Sequence, residues 1–121
     1  MDAKYVNLIE KLTKLTVDGN IEWEKSSTEW QYRLELKSAT FVIDKTQEIV
    51  NLSTYAEVYE LTMYNNSNVE ITIAKETNTT STSADYSILQ ELYCAAENSC
   101  LKETETIKKV MDELNSLDLP F

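Results

Sequence analysis

The chain has no histidine among its 121 residues, which removes the commonest general base, the commonest metal ligand and the ordinary pH switch together. Ser-His-Asp and Cys-His nucleophilic arrangements are therefore excluded. Carboxylates and two thiols remain. Glu22 and Glu24 stand two apart, the spacing that puts side chains on one face of a strand, and Glu57 and Glu60 lie further along. A carboxylate pair that cleaves a glycosidic bond needs its members ~5–10 Å apart, in a pocket with aromatic sugar platforms. Nothing in the sequence marks such a pocket, and a solvated acidic sheet surface accounts for these residues. The expectation is that the chain is not an enzyme.

Cys94 and Cys100 fall in or beside a helical pattern, where a straight helix sets positions six apart ~9 Å from each other along its axis. A disulfide would need the helix to break between them, so two reduced thiols are expected. Without histidine or a second cysteine pair, a structural zinc site has too few ligands. One glycine and one proline leave no phosphate-cradling loop and no dinucleotide fingerprint. No cofactor and no metal are expected.

The formal charge is −10, whereas nucleic acid and anionic membrane surfaces both select cationic proteins. Direct nucleic-acid binding and membrane association are not expected. The acidity is uneven. Residues 1–20 are neutral, and residues 55–100 carry −6. Met1-Asp2-Ala3-Lys4-Tyr5 lacks the basic and apolar regions of a signal peptide, and no apolar run approaches the ~20 residues of a membrane span. A cytoplasmic location is expected, and Asn-x-Ser/Thr at Asn51, Asn65 and Asn78 reads as loop polarity.

The elements that must position any site follow from periodicity. Tyr5, Leu8, Ile9, Leu12 and Leu15 form one face of a helix that Asp2 can cap and Gly19 can end. Glu29–Lys37 alternates, with Trp30, Tyr32, Leu34 and Leu36 toward a core, preceded by a short strand over 21–25. Thr40–Asp44 is a further strand, and Gln47–Leu52 is either its continuation or a loop. Tyr55–Tyr64 and Val69–Ala74 form a hairpin about Asn65-Asn66-Ser67-Asn68, where asparagine stands in for glycine. The polar run 77–83 is a loop. Two C-terminal helices follow, one with Tyr86, Leu89, Leu92, Tyr93 and Ala96 on a face, the other with Ile107, Val110, Met111, Leu114 and Leu117. Asn98-Ser99 is the expected break between them. The sum is one α+β domain over 1–121: an N-terminal helix, an antiparallel sheet of about five strands, and two C-terminal helices packed on one sheet face.

The segment from Ile88 to Ala96, followed by Leu101-Lys102 and by Ile107 through Leu114, resembles a pattern in small bacterial and phage α+β proteins of unknown function. It covers about a quarter of the chain. The resemblance implies a bacterial or phage origin and a helix-break-helix ending, and it carries over no functional residue.

The alternation of the hairpin sends Val58, Glu60, Thr62, Tyr64, Glu70 and Thr72 to the face away from the helices. These are the candidate partner-binding residues. With the charge and the empty catalytic inventory, they point to a non-enzymatic protein-protein interaction module, an inhibitor, immunity factor or adaptor binding a basic partner. A nucleic-acid mimic is the second reading and a hydrolase with paired glutamates the third. A homodimer covering the same sheet face is also open.

Overall fold

The computed structural model describes residues 1–78 and 84–117. Its elements are α1 (Ala3–Val17), β1 (Glu24–Lys25), β2 (Gln31–Glu35), β3 (Ala39–Asn51), β4 (Thr54–Asn65), β5 (Glu70–Thr77), α2 (Ala84–Leu101) and α3 (Glu103–Leu117). The strands form one antiparallel sheet in the order β1-β2-β3-β4-β5, so neighbours in space are neighbours in sequence. The α+β class, the N-terminal helix, the five strands and the two C-terminal helices are as the sequence implies.

Local chemistry sets the ends. Asp2 caps α1 by accepting from the Lys4 amide at 3.0 Å. At the other end the Gly19 amide bonds the Thr16 carbonyl and the Asn20 amide bonds that of Leu15, a Schellman closure with Gly19 at φ 80°. In the β4–β5 turn Asn68 takes φ 60°, and the Asn65 side chain accepts from the amides of Ser67 and Val69. Residues 47–51 continue β3, and the Asn51 side chain accepts from the Ser53 amide to close a tight turn into β4.

Four expectations change. Trp30 and Leu36 are exposed rather than in the core; Trp30 sits at φ 63°, which breaks the alternation just before β2 begins. Strict alternation after Glu70 and Thr72 would put Ala74 on the helix-free face, but it faces the core, because a bulge between Leu61 and Thr62 pairs Leu61 with Ala74 and shifts the parity of β5. The helix does not break at Asn98-Ser99. It runs to Leu101 and breaks at Lys102, φ 51°, while the Ser99 hydroxyl accepts from the Trp23 amide at 3.0 Å. Lastly, only α2 of the two C-terminal helices packs on the sheet; every described side chain of α3 from Glu105 to Leu117 is exposed. The turn at Lys102 redirects the chain away from the sheet. Of the 77–83 loop, Thr77 ends β5, Asn78 donates to the Glu57 carbonyl, and 79–83 lie outside the described residues, as does Pro120.

One core joins the helices to the sheet. Ile9 and Leu12 of α1 and Leu89, Leu92 and Ala96 of α2 meet Leu34, Phe41, Ile43 and Leu61, all buried. Burying a large aliphatic side chain of this kind contributes roughly 1.5–3 kcal/mol. Trp23 is anchored beneath α1, its indole donating at 2.9 Å to the hydroxyl of buried Thr16, which itself donates to the Leu12 carbonyl.

Candidate functional site

Strand register decides which residues share the helix-free face. Tyr64 pairs with Thr40 and Glu70, Thr62 with Val42 and Thr72, and Glu60 with Asp44 and Lys75. Directly paired residues point the same way, so the six candidates do lie on one face. They differ in access. Glu70 and Thr72 are exposed and Glu60 and Tyr64 half-buried, whereas Val58 and Thr62 are only 1% and 6% exposed. Val58 and Thr62 thus form the floor of the face, and a partner could reach Glu60, Tyr64, Glu70 and Thr72.

The floor is covered by the sheet's own side chains. Lys75 of β5 reaches Glu48 of β3 with Nζ to Oε1 at 3.7 Å, a pair that must cross β4 between them. Arg33 lies 3.9 Å from both Glu24 and Glu35. These exposed pairs contribute little stability, but they neutralise part of the surface. One row remains unbalanced: Gln31, Asp44, Glu60 and Lys75 stand side by side across four strands, with two carboxylates adjacent at its centre. Gln31 Nε2 donates to Asp44 at 3.4 Å, and the row's one cation is turned to Glu48. Asp44 was not singled out from the sequence, although alternation with Val42 in the expected strand puts both on one face, and the register with β4 makes that the face of Glu60.

The opposite face holds a second polar group, built between α2 and the β3–β4 hairpin. Tyr59 and Tyr86 hydroxyls both donate to Glu57 Oε2 at 3.4 Å, and Tyr32 donates to Glu97 at 3.4 Å. The rings interlock, with Tyr93 5.6 Å from Tyr32 and 5.2 Å from Tyr59 between centroids. Lys45 lies 3.7 Å from Glu57 and stands over the Trp30 ring at 4.7 Å. Burial, and secondarily Glu97, raises the Tyr32 hydroxyl above its ordinary range; burial, and secondarily Glu57, does so for Tyr86. For Tyr59 and Tyr93 burial alone is the leading cause and the rise is large. A cleft of about 400 Å³ opens beside Trp30 and Lys45, lined also by Glu29, Thr46 and Gln47. The cluster fixes α2 on the sheet and leaves Lys45 engaged by Glu57.

The carboxylates considered for acid-base chemistry are not brought together. Glu57 belongs to the tyrosine cluster, Glu60 to the opposite face, and Glu22 pairs with Lys102 at 3.5 Å. Among the described residues no group of three or more metal-ligating side chains forms, and no helix is long and apolar enough to cross a membrane. Cys94 and Cys100 are free. Comparison with protein-family models, with curated proteins and with solved structures finds no match to this chain.

Proposed function

We propose that the chain is a non-enzymatic interaction module, of the inhibitor, immunity or adaptor type, that binds a basic protein partner through its helix-free sheet face. The observation that carries this reading is the directly paired Asp44 and Glu60 at the centre of that face. Like charges opposite each other on neighbouring strands cost stability. A lysine or arginine from a partner, placed over the pair, would offset the repulsion and gain from being desolvated there. Tyr64, half-buried between Thr40 and Glu70, supplies an amphipathic ring of the kind that anchors interfaces.

Affinity capture from the organism that carries the gene, at low and high ionic strength, tests this. A basic partner is expected at low salt, lost at high salt and lost to Glu60→Lys with Glu70→Lys. A capture that finds no specific partner at any ionic strength, or one indifferent to both substitutions, overturns the reading.

The nucleic-acid mimic needs an unbroken acidic track. Arg33 and Lys75 stand within this one, each paired to glutamates, which weighs against it. The separation of Glu57 and Glu60 onto opposite faces weighs likewise against the hydrolase.

A further inference from the structure

The feature with no role in that face is α3. Ile107, Val110, Met111, Leu114 and Leu117 are between 45% and 74% exposed and lie along one side of a helix of 15 residues. Isolated helices of this length are marginal in water, and their stability ordinarily comes from covering such a stripe. The spacing 107, 110, 114, 117 is the alternating three-and-four step by which one helix packs against another. We propose that α3 is a self-association helix, pairing antiparallel with α3 of a second copy of this chain about a two-fold axis between Val110 and Met111.

Charge layout selects that partner and that direction. Along α3 the acids Glu103 and Glu105 come first, Lys108 and Lys109 stand in the middle, and Asp112 and Glu113 follow. An antiparallel pair sets Ile107 level with Leu114 of the second copy, Val110 with Met111, and Lys109, which lies 3.1 Å from Glu105 one turn back on its own helix, alongside Glu113. The two-fold makes the Lys109 to Glu113 contact twice, as a self-complementary interface requires. A parallel pair in register would instead set lysines level with lysines and acids with acids. It would also bring two chains of charge −10 together at the same end, whereas the antiparallel pair holds their bodies apart along a helix about 22 Å long.

The five side chains offer at most on the order of 500 Å² per chain, so two copies covering each other fully reach ~1,000 Å², the lower bound for a specific interface. The geometry of Lys102 keeps this stripe from being used internally. Its left-handed backbone turns α3 off the sheet, and its Nζ is held 3.5 Å from Glu22 in the segment between α1 and β1.

Sedimentation equilibrium of the full chain tests the proposal. A monomer-dimer equilibrium is expected, with a dissociation constant in the micromolar range. Val110→Glu with Leu114→Glu should weaken it roughly 100-fold or more, the circular dichroism of the remaining fold being retained because both positions are exposed. Lys109→Glu alone and Glu113→Lys alone should each weaken the dimer, and the double exchange should restore it. In a background with Cys94→Ala and Cys100→Ala, Ile107→Cys mixed with Leu114→Cys should give a disulfide-linked heterodimer, and neither alone a homodimer. A chain monomeric at ~1 mM, a dimer that survives Val110→Glu with Leu114→Glu, or homodimeric crosslinks from either cysteine variant alone would overturn it. The sheet face takes no part in these measurements, so their outcome is separable from that of the capture experiment.

Discussion

Helices α2 and α3 are separated by one residue, and each carries an apolar face, yet α2 is built into the core and α3 stands clear of it. The difference lies in what accompanies the apolar residues. The α2 face carries polar groups whose partners exist only on the rest of this fold: the Tyr86 hydroxyl finds Glu57, Glu97 receives that of Tyr32, and Ser99 receives the Trp23 amide. The α3 stripe is aliphatic and thioether throughout, with no group addressed to the sheet. Apolar burial is non-directional, and fixed polar contacts decide where a face belongs. A stripe without them suits a surface that repeats its own pattern.

Three measurements put the difference between α2 and α3 at risk. The largest effect is expected at alkaline pH, because Tyr32, Tyr59, Tyr86 and Tyr93 all have raised pKa values and act together on α2. The fold keeps their protons where the unfolded chain loses them. Stability from this source is therefore complete below the ordinary tyrosine value near 10 and is lost as pH rises from there through the folded-state values. Each such tyrosine removes up to ~1.4 kcal/mol per pH unit over that window. Urea midpoints between pH 9 and 12, with absorbance to follow phenolate formation, should show α2 and the sheet melting together. Late, cooperative ionisation of the buried set is the expected signature.

Next in size is truncation. Leu89→Ala, at a fully buried α2 position, should lower unfolding free energy by ~2–5 kcal/mol, whereas Leu114→Ala should cost under ~0.5 kcal/mol in the dilute monomer. Equal losses in denaturant unfolding would mean that α3 belongs to the core after all. The smallest effect concerns the joint. Lys102→Gly relieves a left-handed residue and should raise stability by at most ~1 kcal/mol, while spin-label distances between α3 and α1 broaden.

Much of the framework was legible in the sequence because it rests on local signals. Periodicity marked all three helices, Asp2 and Gly19 marked the ends of α1, and the asparagines marked the β4–β5 turn. What escaped depends on neighbours that no single segment contains. Alternation gave the face of Val58 and Thr62, but that they are buried on it rather than exposed depends on neighbours outside their own strand. A bulge moved Ala74 across the sheet, and a positive φ at Trp30 took its ring out of the core to stand with Lys45. The candidate face was legible as a set of residues sharing a side. Its central feature, Asp44 beside Glu60, was hidden because the register of β3 against β4 is set by no single segment. The α3 stripe was legible too, but amphipathicity says that a face needs covering and is silent on what covers it.

The meander and the helix pair also order the events of folding. Each strand pairs with a neighbour already at hand, so hairpins can close as soon as both their arms exist. Helix α1 packs chiefly along α2, and Trp23 at its foot waits for Ser99, 76 positions further on. During synthesis α1 therefore leaves the ribosome long before its bed does. Until α2 arrives, Ile9 and Leu12 are open to a chaperone, and a helix made before the whole sheet is among the last elements to dock.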